Sequence, residues 1–182
     1  MRLVLLDRDG VINEDSDDYI RSVADWRPLP GSLEAIARLC DAGFTVGVVS
    51  NQSGLGRGYF EASTLDAIHG EMRRQVEAAG GSIAGIFFCP HAPEEGCPCR
   101  KPKPGLLHDV ARSMNAALAE APMIGDKRAD LEAARSAGCR PILVRTGKGR
   151  VTEAAAEGLQ DTTIFNDLAA AADHLIAEAE GS

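Results

Sequence analysis

Short apolar runs that stop at a polar or glycine-rich turn and give way to an apolar stripe at helical spacing recur along this chain. That alternation restricts the fold more than any other feature. Runs at 2–6, 44–49, 85–89, 122–124, 141–144 and 162–165 read as strands, and 33–42, 62–79, 105–118, 129–137 and 168–179 read as helices. Ser32 with Ala35, and Asp130 with Ala133 and Ala134, mark helix starts, while Gly43, Gly80 and Gly138 suit left-handed helix stops. Strand–helix alternation implies an α/β fold, a doubly wound parallel sheet covered by helices on both faces. Ligands on such sheets bind beyond the carboxyl ends of the strands, so the chemistry is expected there.

Length and charge narrow the class. With 182 residues and no linker or repeat, residues 1–182 read as a single domain. Nineteen Lys and Arg against 27 Asp and Glu leave a net charge of −8, which argues against a nucleic-acid partner, whose phosphates need clustered cations. No apolar run approaches the ~18 residues of a membrane span, and the four apolar residues after Arg2 are too few for a secretory signal. A soluble cytoplasmic monomer without a membrane partner is therefore expected, and a small anionic substrate suits a few local cations.

Four strand ends carry reactive groups. The first delivers Asp7, Arg8, Asp9 and Gly10; two neighbouring carboxylates repel unless a cation compensates, and Mg2+ suits carboxylate oxygens plus phosphate. The second ends in Ser50, Asn51, Gln52 and Ser53, a hydroxyl and backbone N–H groups able to cradle a phosphate oxygen. Arg100 and Lys101, in CRKPKPG, supply cations. The run ending at Ile124 leads into Gly125, Asp126, Lys127 and Asp130, where Asp130 equally suits a helix-start acid.

Cys89, His91, Cys97 and Cys99 form C-x-H-x5-C-x-C, in which each pair projects to one side of an extended segment. The set fits tetrahedral Zn2+ better than a disulfide in a reduced compartment, and the ion would order a Pro-rich loop and position Arg100 and Lys101. Cys40 and Cys139 read as small core residues and Trp26 as packing. His69, His108 and His174 read as surface or cap residues, GLGRG at 54–58 as a flexible loop over the substrate, and GKG at 147–149 as without a nucleotide role.

DRDGV at 7–11, VVSN at 48–51, Lys101 and GDKRAD at 125–130 follow the motif order of the haloacid dehalogenase-like phosphohydrolases, which this chain resembles. More narrowly DRDGVIN, SNQSG with RG at 57–58, CPH, CPCRKPKPG and VRTGKG at 144–149 are similar to the D-glycero-D-manno-heptose 1,7-bisphosphate 7-phosphatase family, over nearly the whole chain. The resemblance implies Asp7 as nucleophile, Asp9 as acid/base, and Ser50 with Lys101 as phosphoryl stabilisers, Lys103 being the nearby competitor for the lysine role. It further implies Mg2+ on the Asp7 side chain, the Asp9 carbonyl and Asp126, the Zn2+ loop, and a Rossmannoid fold without a cap domain. Selectivity then falls to loops. Arg57, Arg100 and Lys127 are expected to ring a second phosphate, with Asn51, Gln52 and Ser53 at the substrate. A histidinol-phosphate phosphatase, a more distant polynucleotide 3′-phosphatase and a non-catalytic zinc-loop module are the competing expectations.

Overall fold

A computed structural model of the chain describes residues 1–181. One sheet contains β1 (Arg2–Leu6), β2 (Phe44–Asn51), β3 (Gly85–Cys89), β4 (Pro122–Gly125), β5 (Arg140–Val144) and β6 (Thr163–Phe165). Their order is β3-β2-β1-β4-β5-β6, with every neighbouring pair parallel. The helices are α1 (Ser32–Asp41), α2 (Ser53–Gly56), α3 (Ala62–Ala78), α4 (Gly105–Met114), α5 (Arg128–Ser136), α6 (Gly149–Ala155) and α7 (Leu168–Glu180). Single 3-10 turns occupy Val23–Asp25 and Pro93–Glu95.

The central strand explains the layering. Successive side chains of β1 point to opposite faces, so Leu3 and Leu5 pack with Leu106, Leu107, Val110 and Ala133 of α4 and α5. Val4 and Leu6 pack on the other side with Ile36, Ile68, Met72 and Leu175 of α1, α3 and α7. Burial on both faces is why RLVLL is a continuous apolar run rather than an alternating one. Strand order runs outward from β1 in both directions, which opens a crevice between the carboxyl ends of β1 and β4.

Several boundaries differ from expectation for local reasons. Helix α4 stops at Met114, short of 118, because Asn115 adopts a left-handed φ of 47°; Leu118 is buried, but from the following turn. Helix α6 buries only Gly149, so it carries no apolar stripe to read. Asp130 lies inside the first turn of α5, two residues past its start. The left-handed stops at Gly43, Gly80 and Gly138 form as read, and Trp26 is a core side chain. Cys139 is buried, while Cys40 is half-buried beside the core. Among the described residues no helix is long and apolar enough to cross a membrane.

Candidate active site and metal centres

β1 and β4 end side by side, and the residues that follow them meet in the crevice. The Asp7 N–H donates to the Ile124 carbonyl at 2.9 Å, which fixes the start of the Asp7 turn to β4. Its Oδ1 accepts from the Arg8 N–H at 2.8 Å and from Lys101 Nζ at 3.0 Å. No donor among the described residues reaches Oδ2. Lys101 comes from the loop after β3 and is pinned by Asn51, whose Nδ2 donates to the Lys101 carbonyl while Oδ1 accepts the Lys101 N–H, both at 3.0 Å. Its Nζ also donates to the Val49 carbonyl at 2.7 Å and pairs with Asp130 Oδ1 at 2.6 Å. Lys103 instead lies outside, donating to the Gly96 and Cys97 carbonyls.

Asp126 is fully buried at the end of β4. Its Oδ2 accepts the Lys148 N–H at 2.8 Å, and Lys127 Nζ lies 3.2 Å from Oδ1. Thr152 Oγ1 donates to the Asp126 carbonyl and Thr146 Oγ1 to the Gly10 carbonyl, each at 2.7 Å. The RTGKG segment thus clamps both halves of the crevice. Gly10 and Gly147 have φ of 87° and 55°, and a Cβ on either would collide with the Asp126 carboxylate. Burial, and then the Asp7 charge, push Asp126 up to about 8. Burial and then the charge of Asp130 also raise Asp7. Burial works against the charged form of Lys101, but Asp130 and Asp7 outweigh it and its pKa is raised.

Asp9 lies in a different environment. Arg8 Nε and Nη2 donate to its two oxygens at 2.8 and 3.1 Å, Asn13 Nδ2 donates to Oδ1 at 2.9 Å, and Gln52 Nε2 to Oδ2 at 3.2 Å. Burial would raise its pKa; the Arg8 charge and these donors more than reverse that and hold it below the ordinary value. Arg8 itself is wholly buried, and its Nη1 lies 3.2 Å from His69 Nε2. His69 was expected at the surface and is instead 7% exposed; burial, then the neighbouring Arg8 charge, push it down to about 4. The expectation failed because Arg8 is 61 positions away in the chain.

The cleft over Asp7 has a volume of about 220 Å³ and is lined by the expected Asn51, Gln52, Ser53, Arg100 and Lys127, together with Asp15, Ser16, Tyr19 and Ile20 from the segment after β1. A larger groove of about 630 Å³ lies along residues 14–27 and contains none of the groups that meet Asp7. Ser50 is fully buried, its Oγ accepting from Gln52 Nε2 at 2.7 Å. Asn51 spends both ends of its amide on Lys101. Arg100 Nη1 is buried without a partner. Arg57 does not line the cleft; its guanidinium sits 3.9 Å from Glu94 on the loop after β3. Residues 54–58 are not a loose cover either: Gly54 packs under Phe60, and Gly56 abuts the backbone of Pro90 and Ala92.

Two sets of side chains are arranged as ligands. Asp7, Asp126 and Asp130 bring carboxylate oxygens within 4.8 Å of one another. Asp130 is already committed: Oδ1 pairs with Lys101, and Oδ2 accepts the Asp126 and Lys127 N–H groups at 3.2 and 3.0 Å. Asp7 and Asp126 remain, two buried acids whose raised pKa values mark a shortage of positive charge that a divalent cation would fill. At the loop, Cys89 Sγ lies 3.5 Å from His91 Nδ1, 3.5 Å from Cys97 Sγ and 3.1 Å from Cys99 Sγ. His91 Nδ1 is 3.3 Å from Cys99 Sγ, which lies 3.5 Å from Cys97 Sγ. These are near the ligand-to-ligand edges, about 3.5 to 3.8 Å, of a tetrahedron with Zn–S and Zn–N bonds of about 2.3 and 2.0 Å. All five cysteines are free, so no disulfide competes.

A HAD-hydrolase-like family model matches residues 98–171. The D-glycero-beta-D-manno-heptose-1,7-bisphosphate 7-phosphatase of Bordetella bronchiseptica is 51% identical over 179 residues, covering 98% of this chain and 100% of that protein. The protein of the same name from Pseudomonas aeruginosa is 50% identical over 176 residues, covering 96% and 97%. In three dimensions this chain is similar to the crystal structure of D,D-heptose 1.7-bisphosphate phosphatase from B. bronchiseptica complexed with magnesium and phosphate. That match has a TM-score of 0.95 at 50% identity, covering 98% of this chain and 99% of the other. The Burkholderia thailandensis D,D-heptose 1,7-bisphosphate phosphatase matches at 0.78 and 41%, covering 97% and 99%.

Proposed function

The chain belongs to the family of D-glycero-D-manno-heptose 1,7-bisphosphate 7-phosphatases, haloacid dehalogenase-like hydrolases of phosphoric monoesters, and from that membership we propose that it removes the 7-phosphate of the heptose bisphosphate through an aspartyl phosphate on Asp7. The convergence of Asp7, Lys101 and Asp126 at the switch point of the sheet supports this reading. In the first half-reaction Asp7 Oδ2 bonds to phosphorus, the bond from phosphorus to the sugar oxygen breaks, and Asp9 gives that oxygen its proton. In the second, Asp9 takes a proton from the attacking water, the bond from phosphorus to Asp7 breaks, and inorganic phosphate leaves. Lys101, held in place by Asn51 and Asp130, faces Asp7 and neutralises charge on the transferring group, and the Ser50 hydroxyl assists from β2.

Mg2+, held by the Asp7 side chain, the Asp9 carbonyl and Asp126, supplies charge neutralisation and orientation of the phosphoryl oxygens when bound. Zn2+ on Cys89, His91, Cys97 and Cys99 is structural, because protein ligands fill all four positions. Arg100 and Lys127, both on the lining of the cleft, are left to meet the phosphate at the far end of the sugar. Such cations disfavour histidinol phosphate, whose amine and imidazole carry the same sign. Residues 1–182 act as a single cap-free domain, a cytoplasmic monomer whose partner is a small phosphorylated sugar rather than nucleic acid or membrane.

Replacing Asp7 by Asn tests the nucleophile, since the amide keeps the volume and loses the nucleophilic oxygen. The variant is expected to fold normally and to release phosphate at least about 1,000-fold more slowly. Turnover near that of the wild type would refute the assignment.

A further inference from the structure

A charged side chain with no access to solvent costs several kcal/mol unless it is fully paired, and Arg8 is such a side chain at the bottom of the crevice. Its neighbours Leu6, Val11 and Ile12 are all core residues, so packing alone would be served better by an apolar side chain. Among the described residues the side-chain bonds of Arg8 run in two directions only: the fork of Nε and Nη2 onto Asp9, and Nη1 onto His69. His69 projects from α3 with its ring tilted against Phe88 at 5.7 Å between centroids, and a neutral ring accepts from Arg8 at Nε2. We propose that Arg8 and His69 are positioning residues for proton transfer at Asp9, with Arg8 fixing the plane of the carboxylate and His69 fixing Arg8. The proposal rests on the acid/base role given to Asp9 above.

The geometry also selects an oxygen. A carboxylate offers about four lone-pair sites, and Arg8 takes one on each oxygen. Oδ1 spends its second on Asn13, which is fully buried. Oδ2 spends its second on Gln52, the longest of the four contacts at 3.2 Å, from a nitrogen that already has Ser50 Oγ at 2.7 Å. Gln52 lines the cleft, so it is the donor that gives way, and Oδ2 carries the proton toward the substrate. The fork stays in place meanwhile and keeps Asp9 from turning away. A bidentate guanidinium sets a plane that an ammonium, a single point of charge, cannot set.

The test compares kcat/KM on two substrates. Heptose 1,7-bisphosphate loses an alkoxide that needs the proton; 4-nitrophenyl phosphate loses a phenolate that departs without one. Asp9→Asn is the reference, and it is expected to discriminate, losing at least about 100-fold on the sugar and far less on the aryl ester. His69→Leu and Arg8→Lys are expected to show the same selective loss, about tenfold or more on the sugar and within about twofold on the aryl ester. His69→Gln, which offers an acceptor in place of Nε2, should restore the sugar activity to within about threefold of wild type. Arg8 sits in the core, so if Arg8→Lys does not fold, the His69 pair decides. Equal losses on both substrates in His69→Leu, with Asp9→Asn still discriminating, would overturn the positioning role and leave the acid/base role standing. Equal losses in Asp9→Asn would overturn the acid/base role and this proposal with it.

Discussion

At the scale of single residues, the site is organised by burial of charge. Asp130, almost fully buried, ties Lys101 to the N-terminal turn of α5. Truncating it takes one of three partners from the buried Lys101 ammonium and leaves two backbone N–H groups without their acceptor. Asp130→Ala is expected to destabilise the fold by about 3 kcal/mol in urea titrations, and a change below about 1 kcal/mol would show the pair to be dispensable. His69 gives a pH signature. It is pushed down to about 4 from an ordinary 6.5, so between those values the unfolded chain binds the extra proton. Stability contributed by the neutral ring is therefore intact above pH 6.5 and lost as pH falls toward 4, by roughly 3 kcal/mol at most. His69→Gln should lose correspondingly less stability than wild type between pH 6.5 and 4.5; parallel losses would contradict the buried neutral ring.

Among the elements, the loop after β3 carries Arg100 and Lys101 beside the converging Cys89, His91, Cys97 and Cys99, so the proposed Zn2+ would order the stretch that positions both cations. Cys97→Ser should release Zn2+, lower Tm by about 5 °C or more, and raise KM for the bisphosphate more than it lowers kcat. Metal analysis together with steady-state kinetics checks this, and a variant that keeps Zn2+ and normal kinetics would sink it. What could be read from the sequence follows the same division. Strands β1 and β3 were legible to the residue, because apolar runs between polar stops encode a buried parallel strand locally. Helix α6 and the role of RTGKG were not, since Gly147 and Lys148 matter only through the nearness of Asp126, more than 20 residues earlier. The candidate site was legible as motifs at strand ends; its internal ties, Asn51 to Lys101 and Arg8 to His69, are pairings between distant segments that no local pattern records.

Over the whole molecule, the outward strand order places the turns after β1 and β4 against each other, and the loops after β2 and β3 bring an amide pin and a buried lysine to the same point. The cleft is walled by loops, with Arg100, Lys101 and Lys127 as the cations on its lining. In the proposed reaction one phosphate of the bisphosphate would lie over Asp7 while the other meets the more distant Arg100 and Lys127. The most direct measurement is 31P NMR of D-glycero-D-manno-heptose 1,7-bisphosphate incubated with the purified protein and Mg2+. The expected result is loss of the 7-phosphate resonance with stoichiometric growth of inorganic phosphate, while the 1-phosphate resonance persists. Loss of the 1-phosphate first, or no hydrolysis under conditions where histidinol phosphate is turned over, would contradict the assignment.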